Sequence, residues 1–223
     1  MESDNLYKVK FEDLPKLEVL LNKCFSKDPL YETLIPDEEV RKRLTPELFK
    51  CDMTEFYETC EIFADSEELN GVLVVSDEAE PYNVLKYYFS EAMASLRTEG
   101  YLLKEDHSLK TLFNFILGRD YLNSSWTEQL HVKNRIHIIY LAVDPEMQHH
   151  GIAAKLIEET IHYAEEHKMM LSLETHNPEN VAFYQQFGFK TYGVLNKHFD
   201  LKQYCLIREA GAPVPLEGTQ THH

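Results

Sequence analysis

Three groups of residues in this chain have the types and spacing to do chemistry. The first is Gln148-His149-His150-Gly151-Ile152-Ala153, which leads into an amphipathic stretch; no Asp or Glu occurs from Met147 to Ile157. The first turn of a helix has amide N–H groups without partners, and its dipole attracts anions. Gly151 would let an anion approach the backbone, and Ala153 keeps the next turn thin. The second group is Asn180 and Tyr184, which share one face of a short helix opened by Asn177-Pro178. The third is a set of proton acceptors. Glu174 closes an apolar run, at the end of a parallel strand where ligands gather, and could bind a cation or take a proton there. Its plain alternative is an exposed strand-end carboxylate. His137 alternates with Ile136 and Ile138 and reads first as a satisfied core histidine, with a base as the second reading. His176 is a weaker third candidate.

The elements that must position these groups follow from hydrophobic patterning. Ile136 to Val143 is apolar, β-branched and stopped by Asp144-Pro145, which predicts a buried strand. The turn at Gly151 opens a helix to about His167, and Met169 to Leu173 predicts a second buried strand. Strand, crossover helix and strand make a right-handed βαβ unit with a parallel pair. Upstream, Leu6 to Phe11 alternates as a first strand, and Asp13 is placed to cap a helix with an apolar stripe from Leu14 to Phe25. Thr45-Pro46 predicts a helix start, with Pro46 in the first position and an end near Tyr57. Cys60–Ala64 and Asn70–Ser76 predict short strands around a hairpin turn. Between the third and fourth strands, Val84 to Leu96 and Leu109 to Leu117 have helical spacing and many aromatic residues. They read as cover for one sheet face, or as the wall of an acceptor pocket. Trp126 reads as a lid or an anchor. Lys190–Leu195 and Lys202–Arg208 predict two closing strands, and Gly211–His223 a disordered tail.

Gln148-x-x-Gly151-x-Ala153 after a strand ending Val143-Asp144-Pro145 resembles the acyl-CoA-binding motif of GCN5-related N-acetyltransferases. Asn177-x-x-Asn180-x-x-x-Tyr184-x-x-x-Gly188-Phe189 is similar to that family's downstream motif. The resemblance spans about residues 135–196. It implies an α/β fold with a mixed, mostly antiparallel central sheet flanked by helices. The chain is then expected to be one acyl-CoA N-acyltransferase domain over 1–209, with a helical insertion at about 80–130 and a tail from 210. It implies that the backbone at His150, Gly151, Ile152 and Ala153, next to Gln148 and His149, cradles the diphosphate of acetyl-CoA. It implies that Leu141, Ala142 and Val143 pair with the pantetheine arm, because the family splays its fourth and fifth strands. It also implies that Asn177 and Asn180 contact the cofactor and that Tyr184 protonates the departing thiolate. Catalysis would rest on Tyr184, with Glu174 or His137 managing the amine's proton. The expected function is direct transfer of acetyl from acetyl-CoA to a primary amine of a small, cationic acceptor. Alternatives are an acyl-CoA sensor without turnover, a longer acyl chain, or a peptide or protein amine.

Composition narrows the partners. The formal charge of −16 over 223 residues argues against nucleic acid and anionic membranes; it reads first as an ordinary soluble surface, and second as mildly favouring a cationic amine. Four cysteines without a C-x-x-C pair read as reduced thiols in the cytoplasm. No run reaches membrane-spanning length, and no nucleophile elbow, phosphate-binding P-loop or H-E-x-x-H zinc motif occurs, so no metal is expected. A homodimer is left open.

Overall fold

The computed structural model describes residues 1–76, 110–122 and 124–213. Seven strands form one sheet: β1 (Tyr7–Lys8), β2 (Glu61–Ala64), β3 (Gly71–Ser76), β4 (Arg135–Val143), β5 (Met170–Thr175), β6 (Lys190–Leu195) and β7 (Gln203–Arg208). Their spatial order is β1-β2-β3-β4-β5-β7-β6. Among the described residues only the β4–β5 pairing is parallel, so the sheet is mixed and mostly antiparallel, as expected.

Helices cover both faces, and the strands' alternation sorts the core into two clusters. On β3, Val72 and Val74 face one cluster while Leu73 and Val75 face the other. The first cluster is built with α1 (Leu14–Phe25), α2 (Pro29–Leu34) and α3 (Glu38–Thr59), through residues such as Leu17, Leu34, Phe49 and Phe56. The second is built with α6 (Ile152–Glu166) and α7 (Pro178–Gln185), through Leu156, Ile157 and Tyr184. Two short helices, α4 (Lys110–Leu117) and α5 (Arg119–Leu122), precede β4. The helix expected over 84–96 and most of the expected tail lie outside the described residues.

Several expectations are corrected. Pro46 does not start a helix but lies inside α3, which begins at Glu38 with the Asp37 carboxylate accepting from the Val40 amide at 3.0 Å. A proline there deletes one helical hydrogen bond and crowds the preceding turn. The apolar face from Val40 and Leu44 to Met53 and Phe56 is buried on both sides of it, and that packing carries the helix through. Asp13 does not cap α1: its carboxylate accepts from the Lys10 amide and the Tyr7 hydroxyl, both at 2.9 Å, and so closes a 3-10 turn over Phe11–Asp13. That turn cuts the first strand back to Tyr7–Lys8. The segment Pro29–Leu34, for which the sequence patterning gives no element, forms α2, with the Asp28 carboxylate accepting from the Leu30 amide at 2.9 Å.

Candidate active site

The fold opens where β4 and β5 part. Their ladder runs only from Arg135 opposite Met170 to Ile138 opposite Leu173. Beyond it β4 stays with β3 to Val143, and β5 stays with β7 to Thr175. A bulge at Ile139 sits at the fork, because Val74 faces Tyr140 while its neighbour Val75 faces Ile138. Such a bulge turns two successive side chains to the same face; Ile139 and Tyr140 both pack against the α1–α3 cluster.

The exposed edge of β4 follows from its register. Gly71 uses its own N–H and C=O on Asp65, at 2.7 and 3.2 Å, so it does not bond Val143 across the ladder. By antiparallel alternation, Leu141 and Val143 then turn their main-chain groups into the fork, and Ala142 turns its groups to Val72 of β3. Of the three residues expected to carry a pantetheine, Leu141 and Val143 therefore face the gap and Ala142 does not. The Val143 carbonyl already accepts from Cys24 Sγ at 3.3 Å and weakly from Gln148 Nε2 at 3.5 Å.

The turn after β4 has the predicted form. Gly151 is the N-cap of α6 with φ at 79° and no side-chain capping bond, and no acid stands in the first turn. A side chain at that φ is strained, and a Cβ there would meet nothing within 4 Å, so the glycine serves conformation and leaves open space before the helix. The preceding histidines are exposed. His150 folds back, its Nδ1 lying 2.8 Å from the Gln148 carbonyl, and His149 has φ 65°.

A cavity of about 140 Å³ occupies the fork and is lined from both faces of the sheet. From the α7 side come Ile138, Leu173, Thr175, Asn180 and Tyr184; from the α1–α3 side come Phe25, Asp28, Tyr31, Asp52, Tyr140, Glu174 and His176. Phe115, Tyr121 and Leu122 of α4 and α5 also line it, so the described end of the insertion does reach this site.

Tyr184 packs edge-on against Phe183 and Phe189, and burial alone pushes its phenol well above the ordinary range. It therefore stays protonated through neutral pH. Asn180 Nδ2 donates to Thr175 Oγ1 at 3.2 Å beside it. Asn177 does not line the cavity: its side chain caps α7 by accepting from the Glu179 amide at 3.0 Å.

Glu174 sits one residue before the end of β5. It accepts from Ser124 Oγ at Oε1 and from Trp126 Nε1 at Oε2, the latter at 2.9 Å. His137 Nε2 lies 3.3 Å from the same Oε2. Burial pushes this carboxyl up, but the imidazole and the Ser124 and Trp126 hydrogen bonds outweigh it, and the net shift is downward. A carboxylate has about four acceptor positions, so capacity for a further donor remains. Trp126, open in the sequence between lid and anchor, anchors this carboxylate. His137 is 3% exposed, reaches Ser124 Oγ at 3.2 Å and Ser172 Oγ at 2.9 Å, and does not line the cavity. It lies against Glu174, outside the cavity lining.

His176 does line the cavity, with Nε2 at 3.3 Å from Gln203 Oε1 and Nδ1 at 3.8 Å from Asp28. Burial holds the imidazole below its usual value and the Asp28 carboxyl above its own. Sequence reasoning missed Asp52. It is 3% exposed, and burial pushes its carboxyl up to about 7. The signal was present: Asp52 falls on the buried stripe of α3 with Leu48, Phe49, Met53 and Phe56. Among the described residues no cluster of three or more His, Cys, Asp or Glu stands ready to hold a metal ion.

Comparison with known proteins agrees with this geometry. No curated protein matches the chain. Among solved structures, it resembles a histone acetyltransferase HPA2 and related acetyltransferase from Corynebacterium glutamicum, with TM-score 0.61 and 16% identity over 95% of this chain and 99% of the other. It also resembles arylalkylamine N-acetyltransferase 2 from Aedes aegypti, with TM-score 0.56 and 14% identity over 92% and 97%. A polyamine N-acetyltransferase from Drosophila melanogaster matches with TM-score 0.53 and 13% identity over 92% and 98%. At these identities the likeness speaks for the fold. The profile of the acetyltransferase (GNAT) family matches residues 38–189 of the 223, so the chain belongs to that family of acetyl-CoA-dependent acyltransferases.

Proposed function

We propose that this chain transfers the acetyl group of acetyl-CoA directly to a primary amine of a small, cationic acceptor, within the fork between β4 and β5. The observation that carries the reading is the division of the cavity. Its carboxylates, Glu174, Asp28 and Asp52, lie on the α1–α3 face, while Tyr184 and Asn180 lie on the α7 face. A cation and a thioester would thus enter from opposite sides and meet in the gap.

The residues take roles that suit that meeting. The diphosphate binds at the open N-terminus of α6, on the amides of His150, Gly151, Ile152 and Ala153. The pantetheine amides pair with Leu141 and Val143, whose main chain faces the fork. An ammonium arriving beside Glu174 gives up a proton to that carboxylate or through it to water. The neutral nitrogen attacks the thioester carbon, the carbon–sulfur bond breaks, Tyr184 donates its proton to the leaving thiolate, and the proton shed by the new amide nitrogen restores the phenol. The products are an N-acetylamine, the free thiol of coenzyme A and one proton. A thioester is already activated, so holding the reactants together supplies most of what the protein must add. Amine acceptors also suit the arylalkylamine, polyamine and agmatine acetyltransferases among its structural neighbours. Four cysteines unpaired with one another suit a reducing, cytoplasmic setting.

The test is thiol release from acetyl-CoA across a panel of primary amines, with mass spectrometry of the acceptor. Amine-dependent release and an acetylated product support the reading; release no faster than hydrolysis with every amine contradicts it.

A further inference from the structure

We infer that the acceptor is a short diamine carrying two positive charges, and that Asp52 holds the ammonium that is not acetylated; this rests on the amine-transfer reading above. Asp52 hangs from α3 into the wall of the cavity. Its Oδ2 accepts from the Tyr140 hydroxyl at 2.7 Å, and its Oδ1 is buried without a partner among the described residues. The Tyr31 hydroxyl lies 3.4 Å from that of Tyr140. Aromatic rings surround the spot: Tyr140 packs against Phe25 at 5.2 Å, Phe56 at 5.9 Å and Phe49 at 6.4 Å between centroids.

A buried carboxylate with an orphaned oxygen calls for a cation. None of the described residues lining the cavity is Lys or Arg. Protonating Asp52 removes the charge but not the orphan: with the proton on Oδ2 toward the Tyr140 hydroxyl, Oδ1 is still an acceptor without a donor. An ammonium supplies both the charge and the donors, and aromatic faces favour a cation further. The same cavity holds Glu174 on the same face of the sheet, with three donors of its own and room for one more. Two carboxylates in one cavity thus match two nitrogens, and a monoamine can satisfy only one of them. Asp28 does not compete for this role, because it already caps α2 and faces His176.

The test compares 1,4-diaminobutane with 1-aminobutane as acceptors, for the wild type and for Asp52→Asn, by thiol release. Asparagine keeps the size and can still accept from Tyr140. In the wild type, kcat/KM should favour the diamine by about 30-fold, the discrimination expected of one buried charge pair. In Asp52→Asn that ratio should fall toward one, with the loss appearing in the diamine's KM more than in its kcat. An unchanged ratio in the variant overturns the proposal, as does a wild type that uses both amines equally well; the second comparison decides the matter even if the variant misfolds. Turnover of 1-aminobutane with no preference for the diamine sinks this proposal alone. No turnover of any amine sinks the transfer reading and this one together.

Discussion

Each side chain at the fork is assigned by what surrounds it. Tyr184 has a phenol raised by burial, with its ring packed between Phe183 and Phe189. Tyr184→Phe keeps that packing and removes only the proton, so kcat should fall about 100-fold, within the usual range for general acid catalysis, with the amine's KM little changed. Steady-state thiol release reads both constants. Glu174→Gln should lower kcat/KM by a similar factor. It also replaces the charge-assisted hydrogen bonds that Ser124 and Trp126 make to the carboxylate with weaker bonds to a neutral amide, so the thermal midpoint should drop by the equivalent of about 1–3 kcal/mol.

Asp52 gives a prediction in pH. Its folded-state carboxyl is raised from 3.8 to about 7, so the native state holds the proton more tightly than the unfolded chain between those values. Stability from this group is full below about pH 4 and is lost as pH rises through 7. Asp52→Asn removes that loss. Its thermal midpoint should exceed the wild type's at pH 8, and the difference should vanish near pH 4; a difference independent of pH contradicts the assignment. Asp52 is easily passed over in the sequence, because an acid in a helix is usually solvated, although it falls on the buried stripe of α3. The Tyr140 hydroxyl that partners it comes from far along the chain. That Glu174, Asn180 and Tyr184 lie close together was legible because their spacing is local, whereas the Ser124, Trp126 and His137 partners of Glu174 come from another segment altogether.

Among the elements, α6 and the forked strands do most to define the site. Gly151→Ala forces a Cβ into the left-handed region, which should cost about 1–2 kcal/mol of stability. Because it disturbs the amides at the start of α6, it should also weaken coenzyme A binding by about tenfold or more, as judged by calorimetry; unchanged affinity would place the diphosphate elsewhere. Strands β4 to β7 and helix α6 were legible because each has one clear period and a marked stop, such as Asp144-Pro145 after Val143. The start of α3 was not, because Glu38 to Arg43 is densely charged and Pro46 looks like a beginning. Tertiary packing of Val40 and Leu44 overrides that local signal. The parting of β4 from β5 is likewise invisible in side-chain patterning. It lies in the bulge at Ile139 and in which strand each edge prefers.

At the scale of the molecule, the net charge of −16 and a cavity with three carboxylates both suit the proposed cationic acceptor. A net charge of that sign favours cations but disfavours the polyanionic cosubstrate, so the cradle proposed at Gly151 would have to offset it locally. Raising the salt concentration should therefore improve the affinity for coenzyme A, or leave it level, while weakening that for a cationic amine. No helix among the described residues is long and apolar enough to cross a membrane.

The claim on which the rest stands is that the opening between β4 and β5, with the α6 N-terminus beside it, takes acetyl-CoA. Titration calorimetry of the folded protein with acetyl-CoA tests it most directly. The account predicts one site per chain with a dissociation constant between about 1 μM and 1 mM, the range in which enzymes commonly hold their substrates. No heat and no displacement by free coenzyme A up to the top of that range would contradict it.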